Sequence, residues 1–312
     1  MDDELNVTHI KLGGFVEMDK YRYLYFITMF AVYILIICSN STIVFLIWIH
    51  KNLHEPMYVF IAALLLNCVL YSTTVYPKLL TDFLSKEQII SYPACLFQFF
   101  AFYSLGGSEF LLLSAMAYDR YVSICKPLQY PTIMTKNAVT VFLVLCWIVP
   151  ASHIAVQTIL SAKAKLCDFN LNSIFCNNAM YRLQCIESRT INIFGVFCLL
   201  DVTVLPLFFI VFTYARIVVI SYRSCKEVRK KAAETCLPHL LVLINFSLLT
   251  VYNTIMARVN TDVPKTAHLI MTLQIVLYHP LFNPFIYGLK MKAIFQHLKM
   301  LFCKAQNIKT DF

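Results

Sequence analysis

The sequence predicts an all-α membrane protein, a bundle of seven transmembrane helices followed by a short amphipathic cytoplasmic helix. Three observations predict it. The chain of 312 residues is 59% hydrophobic and only 14% charged. Its 25 Phe and 18 Tyr exceed what the interior of a soluble domain this size can hold, so lipid solvates much of the surface. Apolar runs of about 20 residues, the length that crosses a hydrocarbon core, recur along the whole chain.

In order, these runs cover 24–49, 57–81, 95–124, 138–160, 191–220, 236–257 and 266–289. Asn67 and Pro77 interrupt the second, and His279 and Pro280 the last. The division that follows is a tail over 1–23, a transmembrane domain over 24–289 and a second tail over 290–312. No internal repeat, low-complexity tract or soluble domain is evident. The start, Met1-Asp2-Asp3-Glu4-Leu5, has no basic-then-apolar signal, so the first span is expected to act as an uncleaved signal anchor.

Basic residues orient the bundle. Lys51, Arg120, Lys126 and Lys136, the dense set Arg216, Arg223, Lys226, Arg229, Lys230 and Lys231, and lysines of the last tail fall on one side. The positive-inside rule puts that side in the cytoplasm and the N-terminus outside. The net charge of +9 is then a topology and headgroup signal, and nucleic acid is not an expected partner. Asn6-Val7-Thr8 is a glycosylation sequon in the outer tail. Of twelve cysteines, only Cys95, Cys167, Cys176 and Cys185 fall on the outer side. Four cysteines allow three disulfide connectivities. Their 9-residue intervals are unlike zinc-site spacing, and no metal or cofactor is expected.

Inside the spans the polar residues are few. Asn40, Asn67, Glu109, Asp201, Asn245 and Asn283 stand in apolar runs, and Pro206, Pro280 and Pro284 break helix ladders. A lone intramembrane Asn often does no more than join helices. A carboxylate costs several kcal/mol to bury ionised without a partner, which makes Glu109 a functional candidate. Nearly three turns above Asp119 on one helix, it is expected to face Asn40 and Asn283. Asp201 precedes Pro206 by one turn, where a partial break admits water. Asp119-Arg120 ends the third span, where a carboxylate beside a permanent guanidinium can hold a helix end in one state and release it in another.

These residues carry a resemblance that runs from end to end. Asp119-Arg120-Tyr121, Trp147, Pro206 and Asn283-Pro284-Phe285-Ile286-Tyr287 resemble the rhodopsin-like G-protein-coupled receptors. Leu53-His54-Glu55-Pro56-Met57-Tyr58, Met116 to Cys125, Thr213-Tyr214, Lys231-Ala232 with Thr235-Cys236 and His239, and Pro280 to Pro284 are similar to the odorant receptors among them. Glu55 in the Leu53 to Tyr58 string resembles the fish-like branch.

The resemblance implies pairing of Cys95 with Cys176 and of Cys167 with Cys185. It implies a small-molecule odorant as ligand, a heterotrimeric G protein of the stimulatory olfactory type as partner, a rise in cAMP, and residence in the plasma membrane of olfactory sensory neurons. Arg120 would leave Asp119 on activation, with Tyr121 beside it and Tyr214, Asn283, Pro284 and Tyr287 completing the switch. By position in the spans, Phe102, Tyr103, Gly106, Gly107, Gln157, Cys198, Val202, Tyr252 and Thr254 are expected to line the ligand pocket. Arg258 is a candidate for an anionic odorant group. The chain departs from the pattern at Cys68, where many receptors carry Asp, at Ser39 before Asn40, and at Asn245-Phe246-Ser247, which puts Ser247 at the presumed toggle position.

Other classes fare worse. No Ser/His/Asp, Cys/His or metal-spaced set lies together in this topology, since His153, His239 and His279 fall at different spans and depths, so an enzyme is not expected. A transporter predicts paired repeats and broken helices in two halves. The nearer alternative is a receptor of the same fold for a metabolite or peptide outside the olfactory epithelium.

Overall fold

A computed structural model describes residues 9–186, 188–223, 230, 236–237, 239–251 and 264–310, the side chains of His268 and of residues 302–310 excepted. The helices are α1 (Met18–Ile49), α2 (Pro56–Leu84), α3 (Tyr92–Cys125), α4 (Lys136–Ala162), α5 (Arg189–Tyr222), α6 (His239–Val251), α7 (Lys265–Lys290) and α8 (Lys292–Thr310). Among the described residues α1 to α5 and α7 are long and apolar enough to cross a membrane, and α6 is a shorter apolar helix. The sixth apolar run continues past Val251 into residues outside the described set.

Helices α1 to α5 and α7 overshoot their apolar runs by a few residues, because hydropathy ends at the headgroups while the helix continues to its cap. Pro56 opens α2 at a position where its missing N–H costs nothing. Thr135 Oγ1 accepts from the Ala138 N–H at 3.3 Å to start α4, and Ser188 Oγ from the Ile191 N–H at 3.4 Å to start α5.

Large apolar side chains point outward along the bundle, among them Leu24, Ile27, Trp48, Ile148, Phe208, Phe212 and Leu248. In water such a surface would drive aggregation; on helices of membrane length it is the lipid face. The protein is a multi-pass membrane protein. Helix α3 is its axle: 61% of its apolar stretch is buried, against 17% for α4. One apolar cluster packs Phe60, Leu64, Leu112, Met116 and Tyr287 around the Asp119 end. Others fill the opposite, disulfide-bearing end.

Prolines shape the helices in ways that place the site. Pro206 has no N–H to give the preceding turn, and a π-helical turn at Leu200–Val204 widens α5 just before it. Asp201, on that turn, lies with its Oδ2 3.7 Å from His153 Nδ1 on the flank of α4. In α7, Pro284 leaves the carbonyl of Pro280 without its helical donor. Asn40 supplies the missing bond: its Nδ2 donates to the Pro280 oxygen at 3.0 Å and to Ile36 O at 2.8 Å. Asn40 therefore ties α1 to the proline break, and its amide is bonded there and not to Glu109, which the sequence predicts it to face.

A small sheet lies over the disulfide end, a feature the all-α reading did not anticipate. Strand β1 (His9–Leu12) pairs antiparallel with β2 (Ile89–Ser91) and parallel with β3 (Asn170–Leu171). Its alternation is the cause: Ile10 and Leu12 are buried while His9 and Lys11 are exposed. At Gly14 the chain passes so close to the Ser173 backbone that a Cβ would stand 2.5 Å from its carbonyl carbon.

Helix α8 docks below α1. The His297 ring lies 3.9 Å, centroid to centroid, from that of His50, and Asn52 Nδ2 is 3.2 Å from His297 Nε2. Partial burial, and then the like charge of His50, hold the His297 pKa below its ordinary value. A depressed folded pKa means that the undocked form binds more protons, so docking is strongest above the ordinary histidine value and weakens as pH falls toward the folded one. Amide exchange across residues 292–301 is expected to quicken on acidification in the wild type, and His50→Gln to reduce that response.

Candidate functional site

Three layers stack along α3, from the disulfide end to the Asp119 end. The first is a cavity of about 490 Å³. Phe102, Tyr103, Gly106, Gly107 and Phe110 of α3 form one wall, Pro150 and Gln157 of α4 and Cys198 and Val202 of α5 another, and Phe246 and Thr250 of α6 a third. The segment after α4 closes the mouth with Phe175, Asn177, Asn178, Tyr181 and Arg182. The inner walls are apolar and the mouth is polar, the distribution of a site for a small, largely apolar molecule with one polar group.

That closing segment is pinned at several points. Cys95, at the start of α3, is bonded to Cys176, and Cys167 to Cys185. Gln98 Oε1 accepts from the Cys176 N–H at 2.9 Å while its Nε2 donates to Thr74 O. The Tyr103 hydroxyl accepts from the Asn178 N–H at 3.1 Å. A loop that would cost much entropy to order is thereby held as a lid.

The two α3 glycines serve different ends. A Cβ on Gly106 would meet Tyr71 at an ordinary 3.7 Å, so side chains there have room to grow into the cavity. A Cβ on Gly107 would stand 2.7 Å from Val202 and 2.8 Å from Pro150. Gly107 is what lets α3 approach the π turn of α5, and Gly107→Val is expected to lower the thermal midpoint and surface level of the protein, whereas Gly106→Ala leaves both unchanged.

The second layer is polar and fully enclosed. Glu109 accepts from Asn67 Nδ2 at 3.1 Å and from Asn283 Nδ2 at 3.2 Å, and its Oε1 lies 3.0 Å from His279 Nε2. Asn283 Nδ2 also reaches Cys68 Sγ at 3.0 Å, and Trp147 Nε1 donates to Asn67 Oδ1 at 3.2 Å. Phe246 roofs this layer, 4.2 Å from the His279 ring and 4.8 Å from that of Phe110. It stands between cavity and polar layer; Ser247, the next residue along the helix, is turned from it by about 100°.

The third layer is a clasp. Arg120 Nε donates to Asp119 Oδ2 at 2.9 Å, its Nη2 bonds the same oxygen, and the Tyr130 hydroxyl donates to Asp119 Oδ1 at 2.8 Å. Asp119 is sealed from solvent and Arg120 nearly so. Tyr121 is half-buried beside them, Tyr214 is buried with its hydroxyl unpartnered, and the Tyr287 hydroxyl lies 3.3 Å from His239 Nδ1.

The structure thus gathers Phe102, Tyr103, Gly106, Gly107, Gln157, Cys198 and Val202 around one cavity. Asn6, Tyr252, Thr254 and Arg258 lie outside the described residues. Reasoning from spans alone missed the lid residues, although their place between bonded cysteines was a usable signal. It also missed that Cys68 and His279 meet at Glu109, since no local spacing joins residues of three helices.

A membrane bundle with a lidded cavity at one end, a buried polar layer in the middle and a guanidinium clasp at the other is built as a receptor. The family model described as olfactory receptor matches residues 29–305. Olfactory receptor 11A1 of Homo sapiens is 35% identical over 98% of this chain and 97% of its own length. Olfactory receptor 13C2 of Homo sapiens is 33% identical over 93% of each chain, and Olfactory receptor 1496 of Rattus norvegicus 31% identical over 97% of this chain and 98% of its own. The chain belongs to the olfactory receptor family, whose members are G-protein-coupled receptors and not enzymes.

Proposed function

We propose that the protein binds small odorants in the 490 Å³ cavity and activates a stimulatory, olfactory-type G protein that raises cAMP. The observation that carries this reading is the separation of the two ends: a lidded cavity above, the Asp119–Arg120 clasp below, and only the Glu109 layer between them. The names of the relatives supply the ligand class.

Disulfides persist in oxidising compartments, so the lid and the tail over 1–23, with its sequon at Asn6, belong outside the plasma membrane. The clasp, the basic residues and the tail over 290–312 then belong in the cytoplasm. Residues 24–289 form the transmembrane domain, with lipid on its flanks. Glu55 in the Leu53 to Tyr58 string favours the fish-like branch. The ligand shifts a population between two bundle states. It favours the state in which α6 leaves α3, Arg120 leaves Asp119, and Tyr214 and Tyr287 turn toward the guanidinium. A small volatile has a few kcal/mol of differential affinity to spend on this.

The test is a cAMP assay of the expressed receptor against grouped acids, amines, alcohols and steroids. Gly106→Leu is expected to blunt the response to any activating odorant with surface protein unchanged. An unaltered dose–response curve would move the ligand elsewhere.

A further inference from the structure

The Glu109 layer holds a donor set that odorant binding and the Arg120 clasp do not use. Cys68 of α2, Glu109 of α3 and His279 of α7 are all buried, and one ligand atom from each, a thiol sulfur, a carboxylate oxygen and an imidazole nitrogen, lie within 4.8 Å of one another. We propose that these three side chains form an intramembrane site for a divalent transition-metal ion, with zinc as the ion the donors suit best.

Charge is the first argument. Glu109 is 1% exposed, and its hydrogen-bond donors among the described residues are the neutral amides of Asn67 and Asn283. No lysine or arginine is bonded to it there; the one group able to answer its charge is His279. A zinc ion that displaces the Cys68 proton faces a thiolate and a carboxylate, two negative charges against its two positive ones, and the enclosed layer becomes neutral.

Donor type is the second. A hard cation such as sodium or magnesium seeks oxygen, whereas sulfur and imidazole nitrogen together select a borderline or soft ion. Donors around one tetrahedral zinc stand roughly 3.3–3.8 Å apart, so closure asks for side-chain shifts of about an ångström from the present spacing. The ring of His279 already presents Nε2 to this layer, 3.0 Å from Glu109 Oε1. Asn283, which touches both Cys68 Sγ and Glu109 Oε1, and Asn67 orient the carboxylate and thiol from behind.

Position gives the ion a consequence. The three ligands come from three helices directly beneath Phe110 and Phe246, which line the cavity. A bound ion cross-links α2, α3 and α7 in the present arrangement and opposes any rearrangement of the cavity floor. The metal site itself does not depend on what the cavity binds.

The test uses the full chain purified in nanodiscs and stripped with a chelator, then titrated with Co²⁺ as a spectroscopic substitute for zinc. The expected result is one Co²⁺ per chain with thiolate-to-cobalt charge-transfer absorption in the near ultraviolet, displaced by one equivalent of Zn²⁺. Cys68→Ser is expected to abolish the band and weaken Zn²⁺ binding by more than the roughly 10–100-fold that losing a supporting hydrogen bond costs. Cys38→Ser and Cys125→Ser are expected to leave it. Wild-type protein without the band, or a band that survives Cys68→Ser, overturns the site. The wild-type spectrum decides even where a variant fails to fold, and His279→Gln, expected to weaken Zn²⁺ binding, provides a second variant that keeps all cysteines.

Discussion

Arg120→Ala is expected to abolish agonist-stimulated cAMP while the protein still reaches the cell surface. Release of the guanidinium from Asp119 presents a positive charge at that end of the bundle. Removing that group leaves Asp119 without its cation, but the carboxylate keeps the Tyr130 hydroxyl as donor at 2.8 Å and the apolar packing around α3 is untouched, so the fold survives. Full signalling by the variant, measured beside surface staining, would remove Arg120 from coupling. The partner change runs the other way. Asp119→Asn is expected to leave basal cAMP at or above the wild-type level, because each 1.4 kcal/mol or so taken from the clasp shifts the two states about tenfold. Tyr130→Phe is expected to act in the same direction and less strongly, since it removes one hydrogen bond and no charge.

Loss of the Cys95–Cys176 bond is expected to have the second largest effect. That bridge closes a loop of 81 residues and ties the lid to the head of α3, whereas Cys167–Cys185 spans 18 residues within the lid. A structural bridge stabilises by about 2–5 kcal/mol, more for the longer loop. Cys95→Ser and Cys176→Ser are expected to lose most surface protein or odorant response. Cys167→Ser and Cys185→Ser should be milder and alike. Surface labelling and dose–response curves separate the pairs, and equal losses for all four would contradict the ranking by loop length.

Much of this was legible in the chain. Hydropathy located the spans because lipid rewards long apolar runs and little else does. The string from Met116 to Cys125 located the clasp because neighbouring residues on one helix cannot avoid each other. The cavity wall was readable from depth along the spans, as with Gln157 and Val202. What escaped depended on contacts between distant segments. Asn40 was drawn to a carbonyl that Pro284 had left unpaired, an event on another helix. The stacking of Phe246 on His279 and Phe110 escaped too, since helix rotation is set by packing. The ten-residue separation of Glu109 and Asp119 was readable, but not the meeting of Glu109 with Cys68 and His279.

The strand at His9–Leu12 bears on how the molecule is assembled. It precedes every span, yet its partners are Ile89–Ser91 and Asn170–Leu171, which emerge only after the second and fourth spans. Until then its buried edge, Ile10 and Leu12, has nothing to cover it. The lid therefore cannot take its place over the cavity until the fourth span has been made, and it closes on a segment made before the first. A substitution or bulky tag that disturbs this strand would spare every helix and the cavity walls and still leave immature receptor in the secretory pathway.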